Sequence, residues 1–356
     1  MHLTRAWVEI DLGALRRNGA ALAARARHLL PMLKADAYGL GAVAVARALE
    51  SLAPWGYGLS TVDEGAELRA AGIDRRLLLF TPLSADDLAT ARAERLTPML
   101  SHADDVARWV ALGGGPWHLG IDTGMSRAGA RWDDVRGLRA AVAQSAPEGA
   151  CTHFHSAELD DGSMEEQERR FESAIAALPT RPAVLHAENS AALARRATSR
   201  WDLARPGIFL YGVGTGAAAR IEPEPIVTLR ARVVDVRTIA AGDTVSYDAT
   251  YRAPASRRIA TLAIGYADGY PRALSSRGEA LLRGRRVPVV GVVTMDMVML
   301  DVTDTPCERG DTATLIGADG GERIDVDAVA ARASASPYEI LTRLRGRLPR
   351  TYRNGA

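Results

Sequence analysis

Lysine is almost absent from this chain of 356 residues. Lys and Arg together number 44, and the sequence contains one lysine, Lys34, so the other 43 basic residues (44 − 1) are arginines. The two side chains are interchangeable as solvated surface charges, but only lysine readily loses its proton and attacks a carbonyl carbon. The single lysine is therefore a candidate for Schiff-base or proton-transfer chemistry, the alternative being an ordinary surface lysine.

Other scarce features narrow the class of protein. Two cysteines, Cys151 and Cys307, are too few for a disulfide framework, so we expect reduced thiols and a cytoplasmic location. No apolar run reaches the roughly 20 residues of a membrane span, and the first residues lack the pattern of a signal peptide. The net charge of +1 gives no field that would attract nucleic acid or a membrane surface.

Between residue 29 and about residue 212, short apolar runs alternate with Ala-, Leu- and Arg-rich segments of helical spacing. Alternating strands and helices imply parallel pairing, and eight such units predict a closed (β/α)8 barrel. An open doubly wound sheet is the alternative, but the GxGxxG turn that would support it is missing. The eight runs are HLLPMLKA, WGYGLSTV, RRLLLFTPL, LTPMLS, WHLGIDTG, ACTHFHS, AVLHAENS and LARPGIFLYG.

The composition changes near residue 226. Segments rich in β-branched residues, such as VTLRARVVDVRTI, are separated there by Gly-, Asp- and Pro-containing turns, which predicts a mostly antiparallel β domain. We therefore predict an α/β plus β chain, with an N-terminal (β/α)8 barrel over residues 9–225 and a C-terminal β domain over residues 226–356. A strand within residues 1–8 is expected to join the second domain, and helices are expected at 326–333 and 337–344.

Functional groups of a barrel gather at the carboxyl ends of its strands, and phosphate sites follow strands seven and eight. Lys34 ends the first apolar run, and Gly207 in the eighth could bring backbone N–H groups close to an anion. A reactive lysine that faces a phosphate-binding loop is the arrangement that holds pyridoxal 5′-phosphate (PLP) at both ends.

Ten segments strengthen this expectation: AWVEIDLGALRRN, KADAYGLG, DTGMSRAG, THF, HAENSAAL, RPGIFLYG, VSYDATY, IGYADGY, the MDM of VVTMDMVML, and RLPRTY. Their order and coverage of nearly the whole chain resemble the alanine racemases among the fold-type III PLP enzymes. The resemblance implies a PLP-dependent isomerase that interconverts L- and D-alanine.

The resemblance also implies two catalytic bases. Lys34 would bind PLP covalently and act as the base on the D-side of the substrate, and Tyr247 would act on the L-side. Racemisation needs a base on each face of a planar carbanion, because a single base returns the proton mostly to the face it left. In the family this tyrosine reaches the barrel of the partner subunit, so we expect a homodimer with composite active sites.

The remaining roles follow from the same resemblance. Arg205 would donate to the pyridine nitrogen of PLP, with His153 beside it, and Arg127 would bind the phenolic oxygen of PLP and the substrate carboxylate. The phosphate would be held by Tyr38, Ser190, Gly207 and Ile208, with Asn189 next to them, and Met295 and Tyr266 would line the substrate side from the other subunit. Plainer interpretations are strand tyrosines at 247 and 266, core packing at Met295, and a helix cap at Asn189–Ser190.

Three departures from the family pattern concern the pocket, one of them Gly346, where some members place a tyrosine. Many members carry a carbamylated lysine where this chain has Gly120, so the group that orients Arg127 is not evident. His155 follows His153 by two residues, and on a strand the two side chains would share a face. With Glu158, Asp160 and Asp161 nearby they could bind zinc, although we predict no metal site.

Three alternatives stay open at this stage. The chain could racemise serine or a broader or basic set of amino acids. It could be a non-catalytic PLP-binding barrel, although such proteins lack the β domain and its tyrosine. It could also be a metal-dependent D-amino-acid lyase, in which the two neighbouring histidines would matter.

Overall fold

The computed structural model of the chain describes residues 4–355, which divide into two compact units. One unit comprises Leu15–Ala37 and Gly41–Glu224. The other comprises the chain up to Ala14, the short segment Tyr38–Leu40, and the chain from Pro225 onward. Strand β1 (Ala6–Asp11) and helix α1 (Leu12–Ala23) come first in the sequence.

The first unit is built around a ring of eight parallel strands, in the order β2-β10-β9-β8-β6-β5-β4-β3. A parallel bridge between Met32 and Gly58 joins the two ends of this series, so the predicted barrel is confirmed. The short strand β7 pairs with β6 outside the ring. The strands are β2 (His28–Leu29), β3 (Gly56–Leu59), β4 (Arg76–Leu79), β5 (Thr97–Leu100), β6 (His118–Asp122), β7 (Ala130–Arg131), β8 (Gly149–Cys151), β9 (Val184–His186) and β10 (Leu203–Ala204).

Helices connect these strands. Strand β4 illustrates the barrel core, because Leu77, Leu78 and Leu79 are all fully buried, as in a strand covered on both faces. The helices are α2 (Lys34–Gly39), α3 (Ala42–Leu49), α4 (Val62–Ala70), α5 (Ala85–Ala93), α6 (Ala103–Ala111), α7 (Arg139–Gln144), α8 (Ser163–Ala176) and α9 (Ser190–Arg195). Helices α4 and α5 each begin with a capping box, formed by Thr61 with Glu64 and by Ser84 with Asp87.

The second unit is a mostly antiparallel sheet, as predicted. Its main path is β16-β15-β18-β11-β1-β20, with β14, β17 and β19 attached, and β12 and β13 form a separate hairpin. The strands are β11 (Val227–Ile239), β12 (Thr244–Val245), β13 (Tyr251–Arg252), β14 (Arg257–Leu262), β15 (Glu279–Leu282), β16 (Arg285–Pro288), β17 (Val298–Asp301), β18 (Thr312–Asp319), β19 (Glu322–Ile324) and β20 (Arg350–Arg353).

The start and end of the chain meet in this sheet. Strand β1 pairs antiparallel with β11 and parallel with β20, while residues 1–3 of the predicted first strand lie outside the described residues. Helix α10 (Val326–Ala333) has the predicted bounds, and α11 (Pro337–Arg343) ends one residue before the predicted end. Among the described residues, no helix combines the length and apolar character that crossing a membrane requires.

Candidate active site

Lys34 begins a left-handed helical turn. In α2 the residues Ala35, Asp36, Ala37 and Tyr38 have φ angles between 53° and 57°. Left-handed helical backbone costs about 1–2 kcal/mol for each L-residue with a Cβ. Such strain persists only where the surrounding structure imposes it, and it concentrates at functional sites.

Two carboxylates hold this turn through backbone amides. Oε1 of Glu64 accepts the N–H of Ala35 at 2.6 Å, and its Oε2 accepts the N–H of Ser60 at 2.7 Å. Oδ1 of Asp36 accepts the N–H of Ala42, the first residue of α3, at 2.7 Å. Glu64, the acidic partner of Thr61 in the capping box of α4, thus also fixes the backbone next to Lys34.

The surroundings of the Lys34 amine lower its pKa. The side chain is half-buried, and its Nζ forms no hydrogen bond or ion pair with any residue that the structure describes. Burial lowers the pKa of Lys34, and the cations of Arg127 and Arg205 lower it further, while Glu64 opposes them. A lowered pKa increases the fraction of neutral amine, which is the nucleophilic and basic form.

Arg205 is buried and held from two sides. Its Nη1 donates to Nδ1 of His186 at 2.9 Å. Its Nη2 donates to the carbonyl oxygens of Thr152 at 2.6 Å and Ala187 at 3.1 Å, and to Nδ1 of His153 at 3.3 Å. Its Nε donates no hydrogen bond to any of residues 4–355, so this N–H is available to an acceptor that binds in the pocket.

His153 lies beside Arg205, as the resemblance implies. Burial lowers the pKa of His153 to about 3, and the nearby cations of Arg205, Arg127 and Lys34 act in the same direction. The ring is therefore neutral near pH 7. A guanidinium has only donors, so Nδ1 must accept and Nε2 must carry the proton.

The expectation that His153 and His155 share a strand face is wrong. Strand β8 ends at Cys151, so both histidines follow the strand in irregular backbone. His155 is exposed, and its Nδ1 lies 2.7 Å from Oγ of Ser156. Nowhere in residues 4–355 do three or more His, Cys, Asp or Glu side chains come together in a way that could hold a metal ion.

Ser190 and the segment after β10 form a polar cradle. Oγ of Ser190 accepts the N–H of Gly207 at 2.8 Å and that of Phe209 at 3.3 Å, and Ile208 is buried between them. Asn189 caps α9, because its side chain accepts the N–H of Ala192 at 3.0 Å. The cap interpretation is correct for Asn189. The hydroxyl proton of Ser190 has no acceptor among the described residues.

The space beside Gly120 is already filled. A Cβ at this position would lie 2.8 Å from Oγ of Ser101 and 3.0 Å from Sδ of Met99, and that sulfur lies 3.4 Å from Sγ of Cys151. Arg127 is exposed, and no hydrogen bond or ion pair links it to another described residue. The side chains of Ser101 and Met99 thus leave no room for a Cβ at Gly120.

The remaining candidates belong to the second unit. Tyr247 and Tyr266 lie in 3-10 turns rather than strands and are 68% and 42% exposed, and Met295 is 53% exposed. The alternatives of strand tyrosines and core methionine are therefore wrong. Ser246 and Asp248, on either side of Tyr247, have φ angles of 68° and 60°, so this tyrosine sits on strained backbone.

Tyr38 differs from these exposed residues. Its ring is buried, and its centroid lies 5.8 Å from that of the Tyr338 ring. Burial, followed by the influence of Tyr338, raises the pKa of Tyr38, so the phenol keeps its proton and remains a hydrogen-bond donor. A protonated phenol suits the predicted phosphate contact.

Two family profiles match the chain. The profile described as alanine racemase, N-terminal domain, matches residues 10–215, and that described as alanine racemase, C-terminal domain, matches residues 226–352. The chain belongs to the alanine racemase family. The alanine racemase of Symbiobacterium thermophilum is 38% identical over 369 residues, which cover 97% of this chain and 96% of that protein.

Solved members of the alanine racemase family share the fold. The Bacillus anthracis alanine racemase with bound L-Ala-P has a TM-score of 0.92 and 31% identity, covering 100% of this chain and 97% of that one. The Bartonella henselae alanine racemase with covalently bound pyridoxal phosphate has a TM-score of 0.89 and 28% identity, covering 98% and 100%. Neither favours a lyase or a non-catalytic barrel.

The described residues fit PLP at three points. Lys34 offers an unpaired amine, Nε of Arg205 offers a donor for a ring nitrogen, and the hydroxyl of the buried Ser190 offers one for a phosphate oxygen. These groups all lie in the barrel unit. They match a cofactor with an aldehyde, a pyridine nitrogen and a phosphate.

Sequence reasoning missed two residues of this site. Glu64 was visible only as the fourth residue of a T-x-x-E capping box, and nothing in that pattern indicates its reach to Ala35. His186 stands in the HAENSAAL segment, yet its contact with Arg205 depends on neighbouring strands.

Proposed function

We propose that this chain is a PLP-dependent alanine racemase that works by two bases, Lys34 and Tyr247. The observation that carries the proposal is the lone lysine, which stands on a strained turn with a depressed pKa and no partner among the described residues. Membership of the alanine racemase family supports the reaction and the cofactor.

When bound, PLP withdraws electrons from the substrate Cα and so makes its proton removable. Lys34 binds the cofactor and exchanges a proton with Cα from one face. Tyr247 exchanges a proton from the other face, and its position in a strained, exposed turn supports this role. The neutral form of the Lys34 amine is the one that accepts a proton.

The other residues bind and orient. Arg205 donates from Nε to the ring nitrogen, and since a guanidinium keeps its proton, the nitrogen stays unprotonated. His153 holds Arg205 in place, and Arg127 binds the substrate carboxylate. The phosphate is held by Ser190, Gly207, Ile208 and Tyr38, with Asn189 fixing the start of α9. Met295 and Tyr266 line the substrate side.

We further propose a homodimer in the cytoplasm, in which Tyr247, Tyr266 and Met295 complete the site in the partner's barrel. The exposure of all three side chains supports this arrangement. A two-fold dimer would hold two equivalent composite sites. Residues 9–225 would form the PLP-binding domain and residues 226–356 the domain that supplies the opposing base.

A racemisation panel tests the function. The purified holoenzyme is given single L-amino acids, including alanine, serine, lysine and arginine, and the D-enantiomer is measured by chiral chromatography. We expect alanine to be the best substrate and Lys34→Arg to be inactive, because a guanidinium does not give up its proton. A clearly faster rate with another amino acid would transfer the proposal to that substrate, and no racemisation at all would refute it.

A further inference from the structure

A line of buried polar side chains continues from Arg205 through the barrel. Nη1 of Arg205 meets Nδ1 of His186 at 2.9 Å, and Nε2 of His186 lies 2.7 Å from Nδ1 of His118. Nε2 of His118 lies 3.6 Å from Oε2 of Glu148. Both histidines are 0% exposed, so their ring nitrogens are shielded from bulk solvent.

Beyond His118 the next contact of the line is with Glu148, because neither of the two facing atoms has another partner among the described residues. Nε2 of His118 and Oε2 of Glu148 are buried, and neither has a hydrogen-bond partner elsewhere in residues 4–355. A buried donor and a buried acceptor with no other choice face each other across 3.6 Å. A buried polar group without a partner costs free energy, so we pair these two atoms with each other.

Strand positions show that the line crosses the barrel. Arg205 follows β10 at its carboxyl end, whereas Glu148 stands immediately before β8 at its amino end. Oε1 of Glu148 accepts from Nη2 of Arg76 at 3.3 Å, and that guanidinium stacks 4.6 Å from the centroid of Trp55. The chain of contacts therefore joins the functional face of the barrel to its opposite face.

The barrel is shaped to admit His118. A Cβ at Gly149 would lie 2.5 Å from Nδ1 of His118, so only glycine leaves room for the ring. The ring of Trp55 packs edge-on against His118 with centroids 5.7 Å apart, and Phe80 packs edge-on against His186 at 6.1 Å. The two imidazoles are thus fixed in orientation by apolar neighbours.

The donors of Arg205 determine which ring nitrogen donates and which accepts along the line. Arg205 has only donors, so Nδ1 of His186 accepts and its Nε2 carries a proton. That proton is donated to Nδ1 of His118, so Nε2 of His118 carries a proton 3.6 Å from the carboxylate of Glu148, an electrostatic contact longer than a hydrogen bond. Burial lowers the pKa of both histidines, and the contact with His118, aided by Arg76, lowers the pKa of Glu148, so two neutral rings end on an anion.

We propose that His186, His118 and Glu148 are positioning residues for Arg205. The hydrogen bond from Nε2–H of His186 to Nδ1 of His118, with the carboxylate of Glu148 3.6 Å beyond Nε2 of His118, keeps Nδ1 of His186 unprotonated and so holds the guanidinium in the orientation that leaves its Nε free. A neutral His186 without this hydrogen bond could adopt the other tautomer, whose Nδ1–H would face a donor. Arg205 would then rotate or lose a contact. This proposal rests on the proposed function only for the role of Arg205 toward PLP.

The tautomers are measurable in the intact holoenzyme. The chain has seven histidines, so nitrogen-15 labelling of histidine gives few NMR signals, and pyridine-like and pyrrole-like ring nitrogens are distinguishable. We expect Nδ1 pyridine-like and Nε2 pyrrole-like in both His118 and His186. A protonated Nδ1 in either ring overturns the proposal, and this readout is independent of racemase activity.

Variants then test the link to Arg205. In His118→Leu the acceptor for His186 is lost, and we expect a protonated Nδ1 population in His186 and a kcat lowered about fivefold, corresponding to one neutral buried hydrogen bond, with KM little changed. His118→Asn places an amide oxygen near the former Nδ1 and should restore most of both. Unchanged His186 signals in His118→Leu overturn the proposal. If His118→Leu does not fold, the wild-type tautomers and His118→Asn decide.

Trp117→Phe is the matched control. Trp117 is buried next to His118 in sequence, and the substitution removes one side-chain hydrogen bond, from its indole Nε1 to Oγ of Ser145 at 3.2 Å, while its backbone carbonyl still accepts the N–H of Glu148 at 2.9 Å. We expect a comparable loss of stability with unchanged His186 signals and kcat. An equal fall in kcat in Trp117→Phe and His118→Leu would mean that the effect is general destabilisation, and would refute the positioning role.

Discussion

At the scale of single residues, the chain has lysine at one of the two positions at which the resemblance implies it. Lys34 remains where an amine must lose a proton. At Gly120, where the resemblance implied a second lysine, Ser101 and Met99 lie within 3.0 Å of the position of a Cβ. Arginine cannot replace the amine of Lys34 chemically, because a guanidinium does not give up its proton.

The packing around Gly120 predicts a cost for any side chain there. Gly120→Ala would bring a Cβ to 2.8 Å from Ser101 and 3.0 Å from Met99, which is closer than ordinary contact. We expect a loss of about 1–3 kcal/mol in the free energy of unfolding, measured by urea denaturation. Gly137→Ala is the control, because nothing lies within 4 Å of its added Cβ. Equal stability of the two variants would contradict the crowding.

At the scale of elements, the sequence predicts the barrel well because each strand has its own local signal. All eight apolar runs overlap a strand of the ring, including the short β2 and β10. The prediction that His153 and His155 share a strand face is wrong because an apolar run does not show where the strand's hydrogen bonding ends. Strand β8 ends two residues before His153.

The left-handed turn of α2 could not have been predicted from its own residues. Ala35, Asp36, Ala37 and Tyr38 include no glycine, and local propensity favours right-handed backbone for them. Glu64, which is distant in sequence, helps to hold the turn by accepting the N–H of Ala35. Contacts that join separate strands, such as His118 with His186, escape sequence reasoning for the same reason.

This dependence predicts the effect of Glu64→Gln on Lys34. The carboxylate raises the pKa of Lys34 against the effect of burial, so its removal should lower that pKa further. The amide also offers one acceptor fewer to the amides of Ala35 and Ser60, which should cost about 1 kcal/mol of stability. The pKa is measured from the pH dependence of PLP uptake by the cofactor-free protein.

Asp87→Asn provides the control for Glu64→Gln. Asp87 occupies the same capping-box position in α5, where its side chain accepts the N–H of Ser84, and it has no part in the pKa of Lys34. We expect a similar loss of helix capping with an unchanged pH profile of PLP uptake. A shifted profile in Asp87→Asn, or none in Glu64→Gln, would show that Glu64 does not act on Lys34.

At the scale of the whole molecule, buried neutral histidines make stability depend on pH. The pKa of His153 falls to about 3 on folding, while that of an unfolded histidine is about 6.5. Below pH 6.5 the unfolded chain therefore binds more protons than the folded one, so stability decreases as the pH falls from 6.5 towards 3. His118 and His186 act in the same direction.

His153→Gln should weaken this dependence. We expect the loss of unfolding free energy between pH 7 and pH 5, measured by urea denaturation of the cofactor-free protein, to be about 2 kcal/mol smaller than in the wild type. His28→Gln serves as the control, because His28 is exposed and should leave the dependence unchanged. An undiminished loss in His153→Gln would mean that the ring is protonated in the folded protein.

The proposed composite site predicts complementation between two inactive variants. Lys34→Ala lacks the base of the barrel and Tyr247→Phe lacks that of the β domain. If each site combines Lys34 of one subunit with Tyr247 of the other, a mixed dimer contains one site with both bases intact. Random exchange makes half of the dimers mixed, so after dissociation and reassembly of an equal mixture we expect about one quarter of the wild-type activity.

A site formed within one chain makes the opposite prediction, because every site in the mixture would then lack one base. Mixing Lys34→Ala with the double variant Lys34→Ala/Tyr247→Phe controls for chance reactivation, since no combination of these chains restores a lysine. Activity that stays at the level of the separate variants, while mass spectrometry of the intact assembly shows mixed dimers, would assign both bases to the same subunit. Activity near one quarter would place Tyr247 at the partner's Lys34, which accounts for an exposed tyrosine on strained backbone.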